Sequence, residues 1–147
     1  MPTYTVSTLI REDVAVPVRP CLQAPEAVNR FMRERVPNIE EMPQETMYSI
    51  SLDTRARVLS LETVTVGLLN MTAAPAREVF RAAISHSAAS VILCHNHPSG
   101  DPKPSADDIR TTKQLAAVGT ILGIEVLDHV IIGGPNYRSL RETGAMS

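Results

Sequence analysis

His95-Asn96-His97 sets two imidazoles two positions apart, and the chain continues as Pro98-Ser99-Gly100. If the preceding run Ser90-Val91-Ile92-Leu93-Cys94 is a strand, its period of two turns both rings to one side at the strand exit. Gly100, Pro102 and Pro104 then turn the chain, and Ser105-Ala106-Asp107-Asp108 opens a helix from which Asp108 would supply an oxygen ligand facing back toward the strand end. Two imidazoles and one carboxylate leave a tetrahedral position for water, the composition of a catalytic rather than a closed structural zinc site. Zinc makes such a water acidic near neutral pH. The same residues also fit a plainer use. Histidines flanking a loop commonly face solvent, and Ser105-x-x-Asp108 reads equally as a capping box that satisfies free amides at a helix start.

The elements that must hold these residues can be read outward from them. The run 90–94 is continuously apolar, as a strand buried on both faces is. Cys94 falls on the side opposite the histidines and reads as a small core residue. Downstream, 107–122 has a helical pattern ending at Gly123, 125–132 is a second apolar strand stopped by Gly133-Gly134-Pro135-Asn136, and 137–140 closes as a strand. Upstream, 46–52 and 57–66 are β-rich and joined by Asp53-Thr54-Arg55, which predicts a hairpin. The stretch 78–88 fits a helix with Val79, Phe80, Ala83 and Ile84 on one stripe, and 25–36 another with Ala27, Val28, Phe31, Met32 and Val36. An acidic connector follows at 38–43, and 3–18 alternates loosely, as an extended arm or edge strand does. The expected fold class is α/β, an α+β mixed sheet flanked by helices. Residues 1–40 are expected to form an N-terminal arm and helix, and 41–147 a domain that carries the candidate metal-binding residues.

Composition narrows the function classes. A chain of 147 residues, 44% hydrophobic and 20% charged, has the size and apolar content of a globular domain. A net charge of −2 argues against the strongly basic field of a nucleic-acid binder. The local cluster Arg30, Arg33 and Arg35 reads as a solvated face rather than a phosphate track. Tyr4, Phe31, Tyr48, Phe80 and Tyr137 are scattered, which removes a base-stacking platform. Cys21 and Cys94 lack CxxC spacing, as in a reduced intracellular chain. With neither a signal-peptide pattern nor a membrane-length apolar run, the expectation is a cytoplasmic, soluble protein. A zinc nucleoside deaminase is set aside because its H-x-E and P-C-x-x-C strings are missing.

Taken as one string, His95-x-His97, seven residues, Ser105, two residues and Asp108 resembles the JAMM metalloprotease signature. The wider text is similar to the RadC family, from Arg77-Glu78-Val79-Phe80 through HNHPSGDPKPS (95–105) and Leu127-Asp128-His129 to Ser139-Leu140, over residues 44–144. The resemblance implies a JAMM/MPN domain of cytidine-deaminase-like architecture and one Zn2+ per chain held by His95, His97 and Asp108. It further implies Ser105 as a stabiliser of the tetrahedral intermediate and an upstream glutamate as general base, with Glu45 favoured and Glu62 the alternative. Asp107 lacks the family spacing and suits the favourable charge of a helix N-terminus. His129, beside Asp128, reads as a hydrogen-bonded core histidine, with a role next to the ligands left open; His86 reads as helix surface.

The function so implied is a zinc-dependent metalloprotease or isopeptidase-like hydrolase acting on a peptide or protein substrate, with a homodimer left open. The alternative is a DNA-repair-associated or nuclease-like accessory protein whose zinc is structural or acts on phosphodiesters, which only local basic clusters support. Two departures stand out. Longer RadC proteins carry a helix-hairpin-helix region before the metal domain, and residues 1–40 lack its glycine-rich hairpins, so a DNA-binding appendage is not expected. Ala74-Pro75-Ala76-Arg77-Glu78 stands where the family reads His-Pro-Arg-Glu.

Overall fold

Asp53 closes the turn of the hairpin. Its carboxylate accepts the backbone N–H groups of Arg55 at 2.8 Å and Arg57 at 3.0 Å and the Arg57 guanidinium at 2.9 Å. This is how a short acidic side chain closes a turn. The backbone bond from Arg57 is the chief reason its carboxyl is held below the usual range. On either side run β1 (Thr46–Leu52) and β2 (Val58–Val66), paired antiparallel. The computed structural model describes residues 19–66 and 76–146. The expected arm at 3–18, and Ala74 and Pro75 of the departing loop, lie outside the described residues.

Every residue of β3 (Ser90–Asn96) is buried, as its apolar run requires. β3 pairs antiparallel with β1 and parallel with β4 (Glu125–Gly133), which pairs antiparallel with β5 (Asn136–Ser139). The result is a five-stranded mixed sheet in the order β2-β1-β3-β4-β5. A parallel pair needs a crossover. Here α3 (Ala106–Leu122) is that crossover, and it therefore starts close to where β3 ends.

Helices cover both faces. α1 (Pro25–Arg35) packs Val28, Phe31 and Met32 against Tyr48, Ile50, Leu52, Ile92, Cys94, Val130 and Ile132. α2 (Ala76–Ser85) and α3 pack Val79, Phe80, Ala83 and Leu115 against Val91, Leu93 and Val126. Alternation along β3 thus sends Ile92 and Cys94 toward α1 and Val91 and Leu93 toward α2 and α3; His95 continues the second series. Truncating a wholly buried side chain such as Met32 or Leu115 to alanine is expected to cost about 2–5 kcal/mol.

Helix ends depart modestly from expectation. α2 stops at Ser85 rather than reaching 88, because Ser87 turns left-handed (φ 53°) and the amides of Ser87 and Ala88 bond back to the carbonyls of Ile84 at 3.1 Å and Ala83 at 2.9 Å. That is the Schellman arrangement, with serine where glycine is usual. α3 ends the same way at Gly123, φ 74°, with Ile124 N–H on the Gly119 carbonyl at 2.9 Å. The acidic connector contains a short 3-10 turn, Ile39–Glu41, that buries Ile39. No helix among the described residues is long and apolar enough to cross a membrane.

Candidate metal centre

His95 is the last residue of β3 to face α3, and it is fully buried. His97 lies just beyond the strand, where its backbone N–H bonds to the Ile132 carbonyl at 2.8 Å and its own carbonyl accepts Gly100 N–H at 3.0 Å. This tight turn brings the Asp101 carbonyl to 2.8 Å from His97 Nδ1. Gly133, at the end of β4, permits it: a Cβ there would stand 2.6 Å from Pro102 N, 2.8 Å from Asp101 C and 2.9 Å from Gly100 O. Only a residue without a side chain lets the histidine loop lie on the sheet.

The capping box at the start of α3 is formed, and it also aims a candidate ligand. Ser105 Oγ accepts Asp108 N–H at 3.0 Å, while Asp108 Oδ2 accepts Ser105 N–H at 2.8 Å. Reaching back in this way places Asp108 Oδ2 3.1 Å from His97 Nε2 and Oδ1 3.4 Å from His95 Nε2. One geometry therefore caps the helix and brings the Asp108 carboxylate to the histidines. Asp107 is exposed and paired with Arg110.

Glu45 approaches from the entry to β1, with Oε1 3.4 Å from both Nε2 atoms. It is held there by a residue the sequence reading passed over. Asn96, buried between the two histidines, accepts Thr46 N–H on Oδ1 at 2.8 Å and donates Nδ2–H to the Gln44 carbonyl at 3.1 Å, bracketing Glu45 on both sides. The available signal was a polar residue ending a buried apolar run, which must find partners. Glu62 is exposed on β2, in register with Ser49, and lies outside this group.

Glu45, His95, His97 and Asp108 each offer one ligand atom, and these atoms all lie within 4.8 Å of one another. The donor chemistry fits a divalent metal ion. The Asp101 carbonyl can only accept, so a neutral His97 carries its proton on Nδ1 and turns an Nε2 lone pair inward, 2.9 Å from His95 Nε2. Two carboxylates complete a ring of electron-pair donors that a borderline cation with mixed nitrogen and oxygen preference would satisfy. The carboxylates favour positive charge here, whether it comes as a proton on the imidazoles or as a metal ion. Hydrogen bonding to Asp108 is the main cause raising the His97 pKa, against the pull of burial. For Asp108 burial pushes upward, but the bonds from His95, His97 and Ser105 outweigh it and leave the carboxyl well below its ordinary range.

His129 reaches the same place through a β-bulge. Val91 pairs with Val126 but Ile92 with Asp128, so Leu127 is the extra residue. A regular strand would send positions 126 and 129 to opposite faces, whereas the bulge turns both toward α3. His129 Nε2 lies 2.5 Å from His95 Nδ1, and its Nδ1 lies 2.6 Å from Thr112 Oγ1. Burial is the first cause of a His129 pKa well below the ordinary value. Asp128 does not bond the His129 ring. Its carboxylate instead takes the backbone N–H of His129 at 2.7 Å and the Ser139 hydroxyl at 2.6 Å, tying β4 to β5.

The other singled-out residues lie elsewhere. His86 is exposed, with Nδ1 2.8 Å from the Ala82 carbonyl. Cys94 is buried on the α1 face, where burial pushes its thiol pKa up and leaves it unreactive. Arg30 pairs with Glu26, Arg33 bonds Asn29 and the carbonyls of Gly134 and Asn136, and Arg35 lies over the Phe31 ring.

Comparison with known proteins places this chain in a family. The profile described as the RadC-like JAB domain matches residues 22–145. The chain is 47% identical over 123 residues to a UPF0758 protein of Halalkalibacterium halodurans, covering 84% of this chain and 52% of that one. It is 49% identical over 111 residues to a UPF0758 protein of Methanococcoides burtonii (76% and 48% covered), and 45% over 119 residues to one of Caldanaerobacter subterraneus (81% and 49%). It thus spans about half the length of the curated relatives it matches. The chain belongs to the RadC-like JAB domain family.

Proposed function

We propose that the chain is a zinc-dependent hydrolase of peptide or isopeptide bonds, with His95, His97 and Asp108 holding the ion and Glu45 acting as general base. The observation that carries this reading is the convergence of two imidazole nitrogens and two carboxylates within 4.8 Å. Zinc, when bound there, supplies Lewis acidity that polarises a carbonyl and brings the pKa of a water to about 7.

The chain's own groups divide the remaining work. Glu45 has the most exposed side chain of the four, at 23%, so it can meet both the site and an incoming substrate. As water adds to the carbonyl carbon, the Glu45 carboxylate takes its proton; as the carbon–nitrogen bond breaks, that proton passes to the leaving amine. The carbonyl electron pair moves to oxygen as the water adds and returns to re-form the carbonyl as the amine leaves. Ser105 Oγ already accepts Asp108 N–H, so its hydroxyl proton is free to donate to that developing oxyanion. Asp108, held by Ser105 N–H, keeps its other oxygen toward His95.

Metal analysis of wild type, His97→Ala and Asp108→Ala, each checked for folding by circular dichroism, tests the site. One zinc per wild-type chain, lost in both folded variants, is expected. A folded wild type that cannot take up zinc would remove the hydrolase reading. Glu45→Gln should keep zinc and abolish cleavage of any peptide or isopeptide substrate that wild type cuts.

A further inference from the structure

His95 can offer Nε2 to a metal only if its proton sits on Nδ1, and nothing on its own strand decides which nitrogen carries it. The decision can be traced through three contacts. Thr112 Oγ1 lies 2.7 Å from the Asp108 main-chain carbonyl, one helical turn away in α3. A carbonyl has no proton to give, so the single hydroxyl proton of Thr112 lies in that contact. The 2.6 Å contact between Thr112 Oγ1 and His129 Nδ1 then needs the ring's proton, which makes His129 Nδ1 the donor. A neutral His129 with its proton on Nδ1 has a bare Nε2, and this can only accept from His95 Nδ1, 2.5 Å away.

We infer that His129 and Thr112 are positioning residues that lock His95 in the tautomer with Nδ1 protonated, aiming its Nε2 lone pair into the Glu45–His97–Asp108 cluster. Buried partners of this kind orient metal-binding histidines and raise their basicity. The relay starts at the carbonyl of Asp108, whose own carboxylate faces the same cluster, so one residue of α3 both joins the site and orders the protons behind His95. His97 receives the equivalent constraint directly from the Asp101 carbonyl.

The inference rests on the metal-site reading above, and its test separates the two. Zinc affinity is measured by competition with a chromophoric chelator for wild type, His129→Leu, His129→Gln and Thr112→Val. Long-range 15N–1H NMR of histidine-labelled, metal-free wild type in alkaline solution reports directly which His95 nitrogen is protonated. His95 should carry its proton on Nδ1. His129→Leu and Thr112→Val should lose about 10–100-fold in zinc affinity. His129→Gln, whose side-chain carbonyl can still accept from Nδ1–H, should bind zinc closer to wild type than to His129→Leu, an outcome that core packing alone would not produce. If His129→Leu does not fold, Thr112→Val and the wild-type NMR carry the test. A proton on His95 Nε2, or folded His129→Leu and Thr112→Val with wild-type affinity, would overturn the inference. Wild type with the expected tautomer but no zinc uptake would instead remove the metal reading and leave the proton order standing.

Discussion

Removing the Ser105 hydroxyl perturbs two roles whose magnitudes differ enough to be separated. As a cap, Ser105 Oγ accepts Asp108 N–H at 3.0 Å, and Ser105→Ala should destabilise the fold by about 1 kcal/mol. In a chain of 147 residues that is a fall in Tm of roughly 3–4 °C. Against a total stability of about 5–15 kcal/mol, such a loss leaves nearly every molecule folded. It cannot lower turnover tenfold. As an oxyanion donor, the same hydroxyl should be worth about 100–1,000-fold in kcat. Zinc binding should survive, because the bond that aims Asp108 comes from the Ser105 main-chain N–H at 2.8 Å, which alanine retains. Two companions complete the test. Ser105→Asp is a good cap whose carboxylate can only accept, and it should restore Tm but not kcat, whereas Ser105→Thr should restore both. The assay pairs thermal denaturation and zinc content with turnover on a peptide or isopeptide substrate that wild type cleaves. If Ser105→Asp, which has no proton to donate, recovers turnover along with stability, the hydroxyl is a cap alone and the oxyanion role is refuted.

Asn96→Ala should cost about 1–3 kcal/mol in denaturant unfolding, by orphaning the buried Thr46 N–H, and should lower turnover while zinc content holds, since Asn96 braces Glu45 rather than the histidines. Gly133→Ala should weaken zinc binding without touching a ligand: its Cβ would stand 2.6 Å from Pro102 N, so the loop bearing the Asp101 carbonyl must shift away from His97. Wild-type zinc affinity in that variant would show that the loop's position does not matter. Asp53 has a folded pKa below 3.8, so it stabilises the fold above that pH and the contribution disappears as pH falls through the folded value. The gap in denaturation midpoint between wild type and Asp53→Ala should therefore be full near neutrality and close in acid.

Much of the fold was legible because local chemistry and burial point the same way. The hairpin follows from β-rich runs around Asp53, and the buried strand from an uninterrupted apolar stretch. α3 is bounded by Ser105 and Gly123, residues whose side chain and backbone freedom suit those ends. The convergence of His95, His97 and Asp108 was legible for the same reason: strand parity and a capping box each have a fixed local geometry. What was missed is long-range. Thr112 lies one turn beyond Asp108, but its hydroxyl matters only because His129 arrives opposite it. His129 arrives there only through the bulge at Leu127, and nothing in the local alternation of residues 125–132 marks that register shift. Asn96 likewise acts across fifty and fifty-two positions of sequence, on Thr46 and Gln44. The end of α2 was misplaced because serine, not glycine, takes the left-handed position.

Whether an ion here would hold the fold together or act on a substrate can be argued from where the core lies. A structural zinc of the finger type supplies folding free energy that the chain otherwise lacks, and its ligands come together only with the metal. In this domain two apolar clusters close on either side of the sheet without using the site. Each candidate ligand is also steered by hydrogen bonds from the chain around it. Asp101 O holds His97, Ser105 N–H holds Asp108, the backbone on either side of Glu45 is bracketed by Asn96, and Asp108 O holds His95 through Thr112 and His129. A site steered in this way draws its order from the fold around it, so less of an ion's binding free energy is needed to order it. Moreover, three buried or half-buried ligands with a fourth, more exposed carboxylate leave the solvent side open to a substrate. Both features support the proposed catalytic role over a purely structural ion, because only a site that stays formed and accessible can bind a water and a carbonyl together.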